Sequence, residues 1–371
     1  MSTAPDTADQ GADAGVRCML MRGGTSKGGY FLREDLPADS AVRDDVLMRV
    51  MGTPDVRQID GVGGAHPLTS KVAVVSASGD SAADVDYLFL QVGVGDAMVS
   101  DRQNCGNMLA GVGPFAVERG LAPSTGDTAS VRIRMLNTGG LATAVFPTPG
   151  GRVRYSGDTA ISGVPGTAAA IVVNFSGTEG SSCGRLLPTG RVRDVIDGVS
   201  VTCVDNGMPA VLIAAGDLGA TGYESPAELE ARTDLVERLQ SIRLAAGQLM
   251  GLGDVAEATV PKMTLVSPPK DGGLVSTRTF IPVRCHSSIG VLGAVSVATA
   301  VLIDDAVGHD LAEVPSEGSR LRLEHPTGHF EVEVEVELDP GDVEPRVRRC
   351  GVVRTARRLF DGTVFPRSPA A

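Results

Sequence analysis

The chain has 371 residues, of which 42% are hydrophobic, and its formal net charge is −12. This length is enough for two domains with sizeable cores. The 47 glycines and 22 prolines, together with the absence of tryptophan, favour a sheet-rich fold with many short strands and turns. Nucleic acids and anionic membranes repel an acidic protein, so we expect neither as a partner. A polyanionic substrate would need a local positive pocket that overrides the overall charge.

Residues 1–15 and the cysteines indicate the cellular compartment. The segment 1–15 is rich in Ala, Asp and Thr and lacks the basic start and apolar stretch of a signal peptide, so a disordered tail is predicted. No apolar run reaches the ~20 residues of a membrane span. The six cysteines make neither CxxC pairs nor a disulfide framework. We therefore expect a cytoplasmic protein with reduced thiols.

Strands alternate with glycine-rich loops in the first half of the chain. Strands are predicted at 16–20, 71–75 and 86–92. Residues 108–118 are apolar nearly all round despite their glycines and one proline, and a helix of this kind must be buried on every side. The Gly- and Ser-rich stretch 176–190 is the best candidate linker.

The second half repeats this layout. A strand at 199–204 is followed by a capping box, Ser225-Pro-Ala-Glu228, that starts an amphipathic helix. A strand at 276–283 precedes a second apolar segment at 289–303. Two buried helices, each surrounded by short strands, predict two similar domains. We place these domains at residues 16–190 and 191–371.

Polar motifs precede both apolar segments: Asn104-Cys-Gly-Asn107 and Cys285-His-Ser-Ser288. A helix N-terminus exposes unpaired N–H groups and a partial positive charge, so it binds carboxylates. We therefore predict that Cys105 and His286 lie at the N-termini of two buried helices that open on one cleft between the domains. The alternative is that Asn104 and Ser287 merely cap these helices.

Cys105 and Lys71 are the candidate proton-handling residues. A helix N-terminus lowers the pKa of a thiol, whereas the other five cysteines fit ordinary core positions. Lys71 directly precedes the apolar run 72–75, where a lysine is normally solvated. If it is instead buried beside a cleft, its pKa falls and it becomes a usable base.

The glycine-rich segment Arg22-Gly-Gly-Thr-Ser-Lys-Gly-Gly29 has two glycines at the spacing of a phosphate loop. Gly29-Tyr30 follows, however, where that motif requires Lys and Ser or Thr, so nucleotide binding is not predicted. The loop can still hold an anion through its backbone N–H groups and the hydroxyls of Thr25 and Ser26.

His325 and His329 are four residues apart, but Pro326 and Gly328 prevent the helix that would place them on one face. No further ligands converge on them, so we expect no metal site.

Nearly the whole chain after residue 15 resembles the PrpF family. The matching segments are Met21–Gly28, Gln58–Gly64, Leu68–Lys71, Gln103–Asn107, Gly157–Thr159, Gly163–Gly166, Leu187–Gly190, Cys285–Ile289 and Glu324–Gly328. Within the family, Asp205-Asn-Gly-Met-Pro209 and the loop around Cys105 look like the 4-oxalomesaconate tautomerase branch of gallate-type aromatic catabolism.

The resemblance implies an α/β (α+β) protein with the diaminopimelate-epimerase-like fold. Two similar domains would each wrap a curved sheet or barrel around a central apolar helix, with the site between them. It also implies proton transfer at an activated carbon, without metal or organic cofactor, in which Lys71 and Cys105 are the acid/base pair. The substrate-binding residues that it implies are Arg22, Gly23, Gly24, Thr25, Ser26, Ser70, Asn104, Gly106, Asn107, Met208, Arg278, His286 and Ser287.

One departure from the wider fold family limits the reaction. Diaminopimelate epimerases carry Asn-Pro-His where this chain has Met208-Pro209-Ala210, and their second catalytic thiol has no obvious counterpart here. Cys285 lies near the second helix start, but we interpret His286 as the residue that faces the cleft. A symmetric two-cysteine racemase is therefore not expected.

The leading hypothesis is a cofactor-independent keto–enol tautomerase of 4-oxalomesaconate, with this small tricarboxylate as its partner and a homodimer left open. The first alternative is an allylic double-bond isomerase of an aconitate- or methylitaconate-like acid. A second is a non-catalytic accessory partner of an aconitase-like enzyme, against which the retention of Lys71 and Cys105 argues. An amino-acid epimerase would need a second thiol opposite Cys105.

Overall fold

The computed structural model describes residues 15–101, 105–256, 258–315, 320–337 and 345–369, so the predicted tail 1–15 lies almost wholly outside the described residues. The chain divides into two compact units. Unit 1 consists of Met1–Val173 with Arg354–Ala371, and unit 2 of Asn174–Val353. No helix among the described ranges is long and apolar enough to cross a membrane.

The described residues of unit 1 form short strands, α-helices and short 3₁₀ turns. Its strands are β1 (Val16–Gly23), β2 (Ser26–Leu32), β3 (Lys71–Ala77), β4 (Val85–Val92), β5 (Val99–Ser100), β6 (Thr128–Met135), β7 (Leu141–Pro147) and the first part of β8 (Ala170–Ser176). Its helices are α1 (Ser40–Met51), α2 (Gly106–Glu118) and the 3₁₀ turns Arg33–Asp35 and Pro149–Gly151.

Unit 2 has a similar inventory. Its strands are β9 (Asp194–Ile196), β10 (Val199–Asp205), β11 (Pro209–Ala214), β12 (Lys262–Ser267), β13 (Val275–Ile281), β14 (Arg284–Cys285), β15 (Arg320–His325), β16 (Gly328–Glu337) and the first part of β17 (Arg346–Val364). Its helices are α3 (Pro226–Glu230), α4 (Thr233–Leu249), α5 (Val291–Val301) and the 3₁₀ turns Ala215–Leu218 and His309–Leu311.

The division of the chain differs from the boundary predicted at residue 190. It falls inside β8, and the chain re-enters unit 1 inside β17. The reason is the pairing of the last strand with the first: β17 runs antiparallel to β1 from Val364 opposite Val16 to Ala356 opposite Gly23. Local composition does not reveal that pairing, because its two partners are more than three hundred residues apart.

The two units share one strand topology. In unit 1, β1 and β2 are antiparallel, β2 and β3 parallel, β3 and β4 antiparallel, β4 and β6 parallel, and β6 and β7 antiparallel. Unit 2 repeats this series with β10, β11, β12, β13, β15 and β16. The predicted similarity of the two halves is therefore confirmed at the level of strand pairing.

Each sheet curves around one apolar helix. Helix α2 contacts β1, β2, β3, β4, β6 and β7, and α5 contacts β10, β11, β15 and β16. Every residue from Met108 to Ala116 is buried, as predicted. Glycine allows the tight packing of α2, because a Cβ atom on Gly111 would lie 2.4 Å from the Tyr30 hydroxyl.

The opposite face of each sheet is covered by an amphipathic helix. Val72 and Val74 of β3 pack in one cluster with Leu47 and Met51 of α1. Met263 and Leu265 of β12 pack likewise with residues of α4. Because side chains alternate along a strand, the first residues of β3 and β12 lie on the other face of each sheet, towards the central helix.

Candidate active site

Cys105 is the N-cap residue of α2, as predicted. Its backbone is extended (φ −132°, ψ 98°), and its carbonyl accepts hydrogen bonds from the Leu109 N–H (3.0 Å) and the Tyr87 hydroxyl (3.3 Å). The thiol is half-buried and does not cap the helix. Cys105 itself holds the N-cap position, and the alternative that Asn104 caps the helix falls on a residue that the structure does not describe.

Lys71 is the first residue of β3 and is buried, with a relative exposure of 7%. Its Nζ donates a hydrogen bond to Gln91 Oε1 (2.7 Å) and lies 4.9 Å from the centroid of the Phe89 ring. The alternative of an ordinary solvated lysine is therefore wrong. The amine has a fixed position on the helix-facing side of the sheet.

Gln91 is a site residue that the sequence reasoning missed. Its Nε2 donates to the carbonyls of Ser70 (2.9 Å) and Pro67 (3.1 Å), which leaves Oε1 to accept from Lys71. The available signal was alternation: Tyr87, Phe89 and Gln91 are every second residue of β4 and lie on one face. A polar side chain after two aromatic ones on a buried face indicates a specific partner.

One face of β4 connects the two proton-handling candidates. Tyr87 bonds to the backbone of Cys105, Phe89 lies beneath the Lys71 ammonium, and Gln91 holds the amine. Cys105 and Lys71 thus lie along the same row of side chains within unit 1.

The glycine-rich segment forms the tight turn between β1 and β2, at the first turn of α2. Asn107 fastens it: Nδ2 donates to Thr25 Oγ1 (3.1 Å), and Oδ1 accepts from the Thr25 N–H (3.4 Å). Gly24 has φ +52°, and a Cβ atom there would lie 2.1 Å from Asn107 Oδ1. Glycine is therefore required for this approach, which places the turn next to Gly106 and Cys105.

Ser26 ends this turn with an unusual hydroxyl. The residue is 1% exposed, and its Oγ has no hydrogen-bond partner among the described residues. A buried polar group left unpaired costs about 1–3 kcal/mol, which a bound ligand would offset. Ser70 differs, because its buried hydroxyl accepts from Gln58 Nε2 (2.8 Å) and its carbonyl holds Gln91.

In unit 2, the prediction that His286 lies at a helix N-terminus is wrong. Helix α5 starts at Val291 with Gly290 as its N-cap, so neither His286 nor Ser287 caps it. The polar stretch forms its own turn instead: His286 Nδ1 accepts from the Ser288 N–H (2.8 Å), and the exposed Ser287 accepts at its carbonyl from Thr327 Oγ1 (2.8 Å). These local bonds compete with helix formation.

Two histidines of this region, His286 and His325, have lowered pKa values. Burial, followed by the charge of Lys262, lowers the pKa of His286. Burial lowers the pKa of His325 to about 4, and its Nε2 lies 3.1 Å from Ser288 Oγ. Within the described ranges, no three His, Cys, Asp or Glu side chains are arranged to hold a metal ion. The expectation of a cofactor-free reaction stays a prediction.

The other two candidates of unit 2 contact mainly backbone. Arg278 is 7% exposed; its Nε donates to the carbonyl of Glu224 (2.6 Å) and its Nη1 to that of Thr277 (2.9 Å). Burial lowers its pKa. Met208 is half-buried in the turn between β10 and β11, where its carbonyl accepts from Ser296 Oγ (2.8 Å).

Lys262 is a second residue that the sequence analysis did not identify, although a short sequence repeat indicates it. Lys71-Val-Ala-Val-Val-Ser76 and Lys262-Met-Thr-Leu-Val-Ser267 share their lysine, valine and serine in register and begin equivalent strands. Burial, followed by the charge of Arg243, lowers the pKa of the half-buried Lys262 to about 8. Lys262 thus stands in unit 2 where Lys71 stands in unit 1.

Two units of this topology define the diaminopimelate-epimerase-like fold. The relatives and the solved structure given in the next paragraph are named as isomerases or tautomerases, which identifies the class of enzyme. The family model described as PrpF protein matches residues 14–367. The chain belongs to the PrpF family.

Individual relatives are equally consistent. The chain is 58% identical over 350 residues to a 4-oxalomesaconate tautomerase of Pseudomonas putida, covering 94% of this chain and 95% of that protein. It is 59% identical over 350 residues to a (4E)-oxalomesaconate Delta-isomerase of Novosphingobium sp., covering 94% and 96%. A crystal structure of methylitaconate-delta-isomerase matches with a TM-score of 0.88 at 34% identity, covering 95% of this chain and 96% of that one.

Proposed function

We propose that the protein is a cofactor-independent keto–enol tautomerase that converts 4-oxalomesaconate in the cytoplasm, as a step of gallate-type aromatic catabolism. The observation that carries the proposal is the buried Lys71 amine, held by Gln91 on the face of β4 that also contacts Cys105. The oxalomesaconate relatives, at nearly 60% identity, support the choice of substrate.

The chemistry fits these groups. A carbon between a ketone and an unsaturated carboxylate is acidified by both. Lys71 takes the proton from this carbon, the electron pair of the C–H bond moves towards the ketone oxygen, and that oxygen then receives a proton to give the enol. Cys105 returns or relays this proton, although the two residues can also exchange roles. The N–H groups of the turn and of the first turn of α2 stabilise the dienolate.

The test is an assay of the purified protein on enzymatically generated keto acid, with the enol followed by its ultraviolet absorbance and no metal or nucleotide added. Enol formation that resists a chelator supports the proposal. Failure to form enol refutes the tautomerase assignment, and loss of activity with chelator refutes its cofactor independence.

A second candidate is an allylic double-bond isomerase, favoured by the relative named as a Delta-isomerase of the same compound. Both reactions begin with removal of a proton from carbon, and they differ in where a proton is added. Tautomerisation protonates oxygen, whereas a double-bond shift protonates a second carbon. Turnover in D₂O followed by NMR separates them: a new C–D bond at a carbon that was unsaturated in the substrate identifies the allylic isomerase.

A further inference from the structure

Unit 1 contains a cavity of about 330 Å³ that the proton-transfer chemistry does not use. It is lined by Arg22, Thr355 and Arg357 and by residues of the segment 155–168. A Cβ atom on Gly163 of this segment would lie 3.3 Å from the Thr25 methyl group, so the segment borders the turn between β1 and β2. The volume lies at the lower end of the range for small-molecule pockets.

Two guanidinium groups occupy the same wall of the cavity. Arg22 of β1 and Arg357 of β17 are directly opposite each other in an antiparallel pair, so their side chains lie on one face of the sheet. Like charges in this arrangement destabilise the pair. Burial, followed by the charge of Arg357, lowers the pKa of Arg22.

No carboxylate among the described residues compensates these two charges. The nearby acids are already paired, since Glu118 binds Arg358 and Asp361 binds Arg119. Arg22 donates through Nη1 to the carbonyls of Gly24 (2.8 Å) and Thr355 (3.0 Å), and its Nε and Nη2 make no hydrogen bond within the described ranges. Two arginines without an ion pair in the described part of the chain therefore share one cavity wall, in a protein with a net charge of −12.

We propose that Arg22 and Arg357 form a carboxylate subsite that binds one carboxylate of the substrate. This inference rests on the proposed function for the identity of the ligand. Guanidinium groups match the planar geometry of a carboxylate and can bind both of its oxygens. Ser156 and Thr167, which line the same cavity, supply hydroxyl donors.

The subsite is connected to the proton-transfer region through Arg22. The same guanidinium that faces the cavity also holds the Gly24 carbonyl, and Gly24 belongs to the turn that Asn107 fastens to the start of α2. A carboxylate bound by Arg22 and Arg357 is thus anchored next to the turn that carries Thr25 and Ser26. Arg357 is the specificity-determining residue in this arrangement. It adds the second positive charge, and its side chain makes no hydrogen bond or ion pair with the described part of the chain.

The experiment measures binding of tricarballylate, an unreactive tricarboxylate, by isothermal titration calorimetry. We compare the full chain with Arg357→Met, Arg357→Lys and the control Arg132→Met, which removes an exposed arginine paired with Asp84 at the surface. Loss of a charge-assisted hydrogen bond predicts a Kd raised about 10- to 100-fold in Arg357→Met. Arg357→Lys is expected to recover part of the affinity, and Arg132→Met to bind like the unmodified protein.

Thermal unfolding supplies an independent measurement. Arg357 is exposed, so its replacement is expected to leave the fold intact and, by relieving repulsion, to leave the Tm without ligand unchanged or higher. Tricarballylate should then raise the Tm of the unmodified protein more than that of Arg357→Met. Equal Kd values for these two proteins, or no binding by either, overturn the subsite. Because neither measurement needs turnover, a protein that binds tricarballylate at Arg357 but forms no enol refutes the proposed reaction while retaining the subsite.

Discussion

In unit 1, the turn between the first two strands of the repeated topology is bonded to Asn107, in the first turn of α2. In unit 2, the corresponding turn is bonded to Ser296 and Thr299, further along α5: Ser296 Oγ accepts from the Asn206 N–H, and Thr299 Oγ1 from Asn206 Nδ2. Strand pairing is the same in both units, but the polar contacts of the turn differ. In unit 2 the turn also lies against the start of its helix, because a Cβ atom on Gly207 would lie 3.1 Å from Leu292 Cδ2, yet its hydrogen bonds go to residues further along α5. In unit 1 the hydrogen bonds of the turn go to the first turn of α2, beside Cys105.

The first residues of β3 and β12 show the same contrast. Lys71 has Gln91 opposite it, whereas continuation of the pairing between β12 and β13 places Ile281 opposite Lys262. At the helix start, Cys105 is replaced by Gly290. The two units thus share their strand pairing but differ in the side chains at these equivalent positions. The position of α5 that corresponds to Cys105 therefore carries no thiol.

Removing the two reactive groups of unit 1 has the largest expected effect. Lys71→Met and Cys105→Ala should each lower kcat at least about 100-fold, as expected for loss of an acid or base. The measurement is the ultraviolet enol assay, with Lys270→Met as control because it removes a lysine of unit 2 that stacks on Tyr223. Near-normal kcat in Lys71→Met would remove Lys71 from the mechanism.

The role of Gln91 is tested by replacing it with isoleucine, the residue type that lies opposite Lys262 in unit 2. Gln91→Ile removes the acceptor of the Lys71 amine, and we expect kcat to fall by about tenfold with little change in KM, because the base loses its position. Gln91→Glu keeps an oxygen acceptor for the Lys71 amine, so kcat should fall less than in Gln91→Ile. Equal losses of kcat in both variants would indicate a structural role only.

Ser26→Ala tests the hydroxyl group at the end of the turn in unit 1. Ser26 begins β2, and the residue that begins the equivalent strand β11 in unit 2 is Pro209, which has no hydroxyl. The Ser26 hydroxyl has no protein partner in the described part of the chain, so its removal should not lower the Tm. We expect KM to rise several-fold and kcat to change less, the pattern that follows when a lost group had bound substrate equally in ground state and transition state. Equal losses in kcat and kcat/KM would assign Ser26 to the chemical step.

The features that sequence predicted are those set by local apolarity. Residues 108–118 and 289–303 were predicted as buried helices because they are apolar on all sides, and Cys105 followed from the polar motif that precedes the first of them. His286 was misplaced because its polar neighbours bond to one another and delay the helix to Val291. Local pattern does not distinguish a cap from an independent turn.

Contacts that depend on which strands pair, and in which register, could not be predicted from local sequence patterns. Gln91 acts through the carbonyls of Ser70 and Pro67, which are brought to it only by the register of β3 against β4. Arg357 became a candidate only when β17 was seen to run beside β1. Lys262 is the exception, because the repeated Lys-x-x-x-Val-Ser pattern marks it in the sequence itself.

Lys262 yields the smallest expected effect, on stability. Burial lowers its pKa from 10.5 to about 8, with Arg243 as the second cause and His286 as a further neighbouring group. At a pH between these two pKa values, the Lys262 amine is protonated in the unfolded chain but not in the folded protein. The free energy of unfolding therefore rises with pH in this range. Below pH 8 the Lys262 amine is charged in both the folded and the unfolded state, and the full cost of burying the charge is present.

Lys262→Met should therefore unfold at a higher urea concentration than the unmodified protein at pH 7. This difference should disappear by pH 10, and the control Lys270→Met should unfold like the unmodified protein at each pH. A constant difference between Lys262→Met and the unmodified protein across this range would show that the Lys262 amine is not desolvated.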